Sequence, residues 1–172
     1  MKKVVILGPE STGKTKLTMD LAESFNSRWV PEYAREYLNK QGGAYHEPDL
    51  LKIAKGQARR EQEAIAGKGE VVFFDTDLTV IKIWSQYKYG RCHRWIVNQL
   101  NRQSYDLYLL TYPDMPWTPD PLREHPQHRD KIFSLYLKEL QSRNLPFKII
   151  KGLGKCRLNE AVSAVSNILI TG

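Results

Sequence analysis

The chain has 172 residues, of which 41% are hydrophobic and 26% charged, and these proportions exclude a disordered or fibrous chain and suit one compact domain. Lys and Arg number 26 against 19 Asp and Glu, a formal charge of +7, which favours polyanionic partners such as nucleic acid, acidic membranes or phosphorylated small molecules without choosing among them. The only cysteines, Cys92 and Cys156, form no C-x-x-C pair and no apolar run approaches the roughly 18 residues of a membrane span, so we expect free thiols, no membrane partner and a cytoplasmic location.

Short apolar runs alternate with segments of helical period along the chain. The runs cover residues 3–7, 28–30, 71–74, 107–111 and 147–150. Such alternation is typical of βαβ units, in which helices cover both faces of a parallel sheet. We therefore predict a three-layer α/β fold with a parallel five-stranded sheet and helices on both faces, built as a single domain over residues 1–172.

The first predicted strand runs directly into a phosphate-binding motif. Residues 8–15 read G-P-E-S-T-G-K-T, which fits the P-loop pattern G-x-x-x-x-G-K-[ST], and a helical pattern follows. Glycines let such a loop direct backbone N–H groups and a helix N-terminus at phosphate oxygens. Lys14 is expected to neutralise the β and γ phosphates of ATP, and the Thr15 hydroxyl to ligate Mg²⁺. The other loop residues expected to bind ATP are Glu10, Ser11, Thr12 and Gly13.

Two further segments repeat apolar residues at the spacing of one face of a helix. Pro48 suits a first helical turn, and an apolar stripe continues from Leu50 to Ile65 with basic residues mostly off it. That basic cluster is more typical of a solvated helix face than of a nucleic-acid site. Residues 158–169 repeat apolar side chains at the spacing of a helix that lies on a sheet.

The third predicted strand ends in a carboxylate. Asp75 follows four apolar residues, which places it at the carboxyl edge of the sheet beside the P-loop, where it would hold Mg²⁺ directly or through water. Asp77 is either a second acidic ligand or the N-cap of the next helix. Residue 78 is not glycine and Tyr112 stands where a base-reading motif needs lysine, so the sequence does not favour a regulatory GTPase.

The segment after the fourth predicted strand is rich in proline, which excludes regular helix or strand there. Five prolines lie between residues 113 and 126, and the same stretch leads to Arg123 and Arg129. In a P-loop kinase, an arginine-bearing lid supplies positive charge to the transferring phosphoryl group and excludes water. We expect a lid at about residues 113–129, with surface salt bridges as the alternative role of the two arginines.

Four stretches together go beyond a generic P-loop. Besides the loop itself they are V-P-E-Y-A-R-E at 30–36, F-D-T-D-L-T-V-I-K-I-W-S-Q-Y-K-Y-G at 74–90 and Y-D-L-Y-L-L-T-Y-P-D-M-P-W-T-P-D-P-L-R-E at 105–124. They resemble the ribosylnicotinamide kinase domain at the C-terminus of the multifunctional bacterial NAD-salvage regulator, over nearly the whole chain. The resemblance implies a P-loop NTPase fold of the nucleoside-kinase-like group and phosphorylation of the 5′-hydroxyl of nicotinamide riboside by ATP, giving nicotinamide mononucleotide.

The regulator also carries an adenylyltransferase domain and, in some members, a DNA-binding domain. This chain begins almost at the P-loop strand, so neither activity is expected of it, and a separate adenylyltransferase is a candidate functional partner. The sequence does not indicate an oligomeric state.

The resemblance also suggests roles for individual residues. Glu32 occupies the position where related kinases carry an acidic residue facing the 5′-hydroxyl, so it is our choice of general base, with Asp75 as the alternative. Arg35 is expected to contact the substrate or the product phosphate, and Arg157 to border adenine. Because nicotinamide riboside contains a pyridinium cation, we expect at least one aromatic ring to stack on it, with Tyr33, Tyr89 and Trp117 as first choices. The full set of predicted substrate contacts is Glu32, Tyr33, Arg35, Asp77, Trp84, Tyr87, Tyr89 and Trp117.

Two other functions are retained at this point. The first is a P-loop kinase of another nucleoside or of a mononucleotide, whose existing phosphate would need extra arginines. The second is a non-catalytic nucleotide sensor or nucleic-acid-binding module, which the charge of +7 suggests and which would bind DNA or RNA with a steep salt dependence.

Overall fold

A computed structural model describes residues 1–124 and 126–170, and within these ranges the chain forms five strands and seven helices. The strands are β1 (Lys2–Leu7), β2 (Arg28–Val30), β3 (Val71–Asp75), β4 (Leu107–Thr111) and β5 (Phe147–Ile150). The helices are α1 (Lys14–Ser24), α2 (Tyr33–Lys40), α3 (Glu47–Ile65), α4 (Leu78–Tyr89), α5 (Arg94–Arg102), α6 (Arg129–Ser142) and α7 (Gly154–Ile170). Each strand lies where the apolar runs predict one, to within one residue at either end.

The five strands form a single parallel sheet, as predicted, in the order β2-β3-β1-β4-β5. The central strand, β1, pairs with β3 on one side and with β4 on the other. The chain moves from β1 to one side of the sheet and crosses to the other side after β3. A crevice opens outside the carboxyl ends of parallel strands where the strand order reverses in this way, and the P-loop begins there.

Alternate residues of β1 supply the cores on the two faces of the sheet. Val4 and Ile6 pack with α1 and α7, whereas Val5 and Leu7 pack with α4 and α6. All four are fully buried, which explains why the strand reads as a continuous apolar run rather than an alternating one. The predicted three layers are therefore confirmed, and a third apolar cluster joins α2, α3, α4 and α5 beside the sheet.

The strongest helical stripes of the sequence correspond to α3 and α7. Pro48 stands in the first turn of α3, as expected from its missing N–H. The helices α2, α5 and α6 were not predicted from the sequence. Within the described ranges, no helix combines the length and the hydropathy that a membrane crossing requires.

The proline-rich segment between β4 and α6 contains no helix or strand in its described part, as predicted. The helix α6 begins at Arg129, so the last residue of the predicted lid is also the first residue of a helix. His125 falls inside the predicted lid and lies outside the described residues.

Candidate active site

The P-loop folds tightly against the end of β4. Gly8 has a φ of 145°, and a Cβ atom at this position would lie 2.2 Å from Thr111 Oγ1. Thr111 Oγ1 donates to the Leu7 carbonyl at 2.9 Å and lies 2.7 Å from Thr12 Oγ1. Only glycine permits this approach, so the first glycine of the motif fixes the loop against the sheet edge.

The next residues of the motif begin the helix α1. Gly13 has a left-handed φ of 72° at the N-cap, and Lys14 and Thr15 form the first turn. The Lys14 ammonium donates to the Pro9 carbonyl at 2.8 Å across the loop. The Thr15 hydroxyl donates to Asp75 Oδ2 at 2.6 Å, so the carboxylate that ends β3 lies beside the P-loop.

A cavity of about 350 Å³ extends from the P-loop toward α2, α4 and α6. The P-loop forms one end of it, with Lys14 and Thr15 among the lining residues. Glu32, directly before α2, lines the cavity as well. The remaining lining residues that the sequence had singled out are Glu10, Ser11, Thr12, Gly13, Arg35, Trp84, Tyr87 and Arg123.

Burial dominates the electrostatics of this cavity. It raises the pKa of Glu32 to about 7, with a further increase from the neighbouring Asp75 and an opposing effect of Lys14. Burial also raises the pKa of Asp75, against the hydrogen bond from Thr15 and the charge of Lys14. The pKa of Lys14 is lowered by burial, while Glu32 and Asp75 act to raise it. The Lys14 ammonium therefore lies near two carboxyl groups, Glu32 and Asp75, that take up protons more readily than usual.

The residues beside Lys14 suit a magnesium ion. Asp75 Oδ2 accepts from Thr15, but Asp75 Oδ1 is buried without a hydrogen-bond partner among the described residues. A buried carboxylate oxygen without a partner is costly unless a cation or water satisfies it. Carboxylate and hydroxyl oxygens are ligands that Mg²⁺ prefers, so Thr15 and Asp75, predicted as the metal ligands, fit that ion.

The predicted lid lies directly on the P-loop. Ser11 Oγ accepts from the Thr118 backbone N–H at 2.8 Å and from Arg123 at 3.5 Å, and the Ser11 carbonyl accepts from Arg129 at 3.3 Å. Both predicted lid arginines thus contact the P-loop, although Arg129 does not line the cavity. Arg35 reaches the same segment, because its guanidinium donates to Asp120 at 3.0 Å.

The aromatic residues separate into two groups. Trp84 and Tyr87, both on α4, line the cavity. Trp117 does not; the guanidinium carbons of Arg123 and Arg129 each lie 6.0 Å from its ring centre, and Lys131 Nζ lies 5.3 Å from the ring centre of Tyr87. Of the rings predicted to contact the substrate, Trp84 and Tyr87 of α4 therefore line the cavity, whereas the first choices Tyr33, Tyr89 and Trp117 do not.

Three more residues that were predicted to contact the substrate lie among other residues of the chain rather than at the cavity. Asp77 is fully buried as the N-cap of α4 and accepts from the backbone N–H and the hydroxyl of Thr79, so the N-cap alternative is correct. Tyr33 packs against α3, with the Arg60 guanidinium 4.6 Å from its ring centre. Tyr89 packs beside the cluster of α2 to α5. None of these three side chains lines the cavity.

Arg157 lies beside a second cavity, of about 420 Å³, that Gly13, Lys16 and Met115 also line. Its guanidinium is buried and donates to Asp114 at 2.8 Å and to the carbonyls of Gly152 and Tyr112. These bonds hold the loop between β5 and α7 against the segment after β4. Because Gly13 and Lys16 line both cavities, the predicted adenine contact lies on the far side of the P-loop from Glu32.

The sequence analysis missed several residues that shape the site. Ile132 and Tyr136 line the cavity from α6, a helix that the sequence analysis did not predict. Gln57 accepts a hydrogen bond from the backbone next to Glu32. No local pattern marks a glutamine inside an amphipathic helix as part of a site, so only the tertiary structure reveals it.

Comparison with known proteins gives matches over most of the chain. A family model described as an AAA domain matches residues 3–157. The trifunctional NAD biosynthesis/regulator protein NadR of Salmonella typhimurium is 32% identical over 157 residues, which cover 88% of this chain and 38% of that protein. The NadR protein of Escherichia coli is 31% identical over 86% of this chain and 37% of its own length. The chain thus spans less than half the length of these curated relatives, and the resemblance to the NAD-salvage regulator is confirmed.

Solved structures show the same fold. A NadR protein in complex with NR superposes with a TM-score of 0.80 at 24% identity, over 98% of this chain and 50% of that chain. A deoxyadenosine kinase from M. mycoides with bound dCTP gives a TM-score of 0.62 at 12% identity, over 99% and 100% of the two chains. A thymidylate kinase from Ehrlichia chaffeensis gives 0.66 at 14% identity, over 98% of each. The fold is therefore that of P-loop nucleoside and nucleotide kinases, as predicted.

Proposed function

The chain belongs to the AAA domain family, and we propose that it is a P-loop kinase that transfers the γ-phosphoryl group of ATP to the 5′-hydroxyl of nicotinamide riboside. The proposal draws support from the sequence identity with the NadR proteins, which are named for a role in NAD biosynthesis and its regulation. A structural neighbour bound to NR, and another NadR structure bound to NAD and AMP-PNP, are consistent with it.

One observation carries the proposal. A single cavity joins the P-loop at one end to a buried carboxyl, Glu32, and to the rings of Trp84 and Tyr87. A pyridinium riboside needs these three features: an anionic group near its hydroxyl, aromatic faces for its cationic ring and a phosphate cradle for its co-substrate. Cation–π contact of this kind contributes about 0.5 to 2 kcal/mol.

In the proposed reaction, the chain's own groups orient the reactants and move one proton. Backbone N–H groups of the P-loop and the Lys14 ammonium would bind the β and γ phosphates of ATP. The Glu32 carboxylate would accept the proton of the 5′-hydroxyl as the oxygen attacks the γ phosphorus and ADP leaves. A pKa of about 7 suits this role, because a base works best when its pKa lies near the working pH.

The lid and the metal site complete the proposed arrangement. Arg123 and Arg129 would exchange their contacts with the P-loop for the charge of the transferring phosphoryl group and exclude water from the cavity. Thr15 and Asp75 would hold Mg²⁺, which when bound neutralises phosphate charge. In this scheme Glu32 and Asp75 divide the two tasks of base and metal ligand.

A second candidate is a kinase of another nucleoside or of a mononucleotide. Arg35 and Arg123 line the cavity, and a mononucleotide acceptor needs arginines for its own phosphate. Each of these arginines contacts a group of the chain: Arg35 donates to Asp120, and Arg123 approaches Ser11 and Asp120. Acceptor charge is therefore the property that separates the two candidates.

The experiment is an ADP-release assay with Mg·ATP and a panel of acceptors: nicotinamide riboside, the ordinary nucleosides and their monophosphates. We expect turnover selective for nicotinamide riboside and its loss in Lys14→Ala, because the ammonium that binds the phosphates is removed. Lys138→Ala is the matched control, since Lys138 is an exposed residue of α6 outside the cavity, and it should keep wild-type turnover.

Each other result points to a different function. Turnover with another acceptor only would keep the kinase mechanism and reject nicotinamide riboside as the substrate. No turnover with any acceptor, together with salt-dependent binding to nucleic acid, would favour the sensor or binding module.

A further inference from the structure

The helix α3 passes close to both catalytic carboxyl groups, and one of its side chains bonds the backbone next to each. Gln57 Oε1 accepts from the Tyr33 backbone N–H at 2.8 Å, and Gln57 Nε2 donates to the Thr76 carbonyl at 3.4 Å. Gln57 is only 2% exposed. Because one end of the amide faces a donor and the other faces acceptors, its orientation is fixed by its partners.

The first of these bonds provides an acceptor for a backbone N–H group at the start of α2. Tyr33 is the first residue of α2, and the first N–H groups of a helix have no acceptor within the helix. Glu32 occupies the N-cap position, yet its side chain caps no N–H group. Gln57 supplies the acceptor for the Tyr33 N–H from α3, and so holds the backbone directly next to the Glu32 carboxyl, which lines the cavity.

The second bond acts where β3 ends. Thr76 directly follows Asp75 and has a φ of 70°, a left-handed conformation that is rare for a β-branched residue. Its N–H donates to the Ile6 carbonyl at 3.1 Å, and its own carbonyl is the acceptor that Gln57 reaches. These two bonds hold the backbone turn from which the Asp75 side chain projects.

Gln57 is itself anchored by a buried network. Its Nε2 also donates to Glu61 Oε1 at 3.0 Å, one turn further along α3. Glu61 accepts in addition from Tyr105 at 2.7 Å and from Gln103 at 2.6 Å. The amide is therefore held from the segment before β4 as well as from α3, which limits the positions that it can take.

We propose that Gln57 is a positioning residue for phosphoryl transfer, which sets the separation of Glu32 and Asp75 by bonding the backbone next to each. It is not a catalytic residue, because it does not line the cavity. The inference rests on the proposed function, in which Glu32 is the base and Asp75 the metal ligand. The two carboxyl groups must keep a fixed separation, since a displacement of about 1 Å in such a site costs about 10²-fold in rate.

The test uses Gln57→Met, which keeps a similar length but removes all three hydrogen bonds of the amide, those with Tyr33, Thr76 and Glu61. We expect kcat to fall at least ~10-fold, whereas the KM for ATP stays close to the wild-type value because none of these bonds involves the P-loop. Ile53→Ala is the matched control. Ile53 is fully buried in the same helix and bonds neither turn, so its variant should melt at a lower temperature and keep wild-type kcat well below that temperature.

A second measurement does not depend on activity. Hydrogen exchange of the Tyr33 amide should be faster in Gln57→Met than in the wild type, by at least ~10-fold, and unchanged in Ile53→Ala. If the wild type phosphorylates no acceptor, the proposed function fails, while this measurement still decides the local role of Gln57. Wild-type kcat in Gln57→Met, or a Tyr33 amide that exchanges at the wild-type rate, would overturn the inference.

Discussion

Glu32 has two properties that suit a general base: it lines the cavity, and burial raises its pKa to about 7. A carboxyl with such a pKa exchanges its proton near neutral pH, as a general base requires. Glu32→Gln should therefore lower kcat by at least roughly 10²-fold while Mg·ATP still binds, because the P-loop atoms are unchanged. Steady-state kinetics and calorimetric titration with Mg·ATP measure the two effects separately.

Glu36→Gln provides the control for this variant. Glu36 lies one turn further along α2 and pairs with Lys40 and Arg60, so its substitution removes the same charge outside the cavity and should leave kcat unchanged. In the wild type, turnover should decrease as the pH falls through about 7 because protonated Glu32 cannot accept the proton. A near-normal kcat in Glu32→Gln would transfer the role of base to Asp75.

At the scale of the elements, the close contact of α2 with α3 depends on a glycine. Alanine is normally more stable than glycine inside a helix, by about 1 kcal/mol. At Gly56, however, a Cβ atom would lie 2.2 Å from the Tyr33 ring. Gly56→Ala should therefore lower the free energy of unfolding by at least ~1 kcal/mol, as measured by urea denaturation.

The double variant gives this prediction its control. In a Tyr33→Ala background the ring is absent, so the same Gly56→Ala substitution should raise the free energy of unfolding, by up to ~1 kcal/mol. An effect of the same sign in both backgrounds would show that the contact between Tyr33 and Gly56 does not determine how closely α2 packs on α3.

This contact also illustrates what the sequence could predict. The strands were predictable because parallel strands with two buried faces read as apolar runs, and the P-loop because its chemistry is local in sequence. The helix α2 escaped prediction because it buries only Ala34 and Leu38, too few for a stripe. Tyr33 is predicted as a substrate contact because it is an aromatic residue next to Glu32, and the sequence does not reveal that it packs on Gly56 of another helix. Gln57 could not be predicted either, because its partners are also distant in sequence.

At the scale of the whole molecule, several buried carboxyl groups bind protons more tightly in the folded state than in the unfolded chain. Burial raises the pKa of Glu61 from 4.5 to about 8, that of Glu32 from 4.5 to about 7 and that of Asp77 from 3.8 to about 6. Each of these groups stabilises the folded protein fully when the pH lies below the pKa of that group in the unfolded chain. This stabilisation is lost as the pH rises through the pKa of the group in the folded protein. These groups therefore make the free energy of unfolding decrease between about pH 5 and pH 8.

Glu61 has the highest pKa of the three, so it should dominate this dependence between pH 6 and pH 8. In Glu61→Gln, the free energy of unfolding should fall less steeply with pH than in the wild type, by about 1.4 kcal/mol per pH unit, the contribution of one proton. Urea denaturation at several pH values measures the slope. Glu63→Gln, an exposed neighbour on the same helix, should keep the wild-type slope. Equal slopes in Glu61→Gln and the wild type would mean that Glu61 is already ionised at pH 6, with Gln57, Gln103 and Tyr105 satisfying its charge.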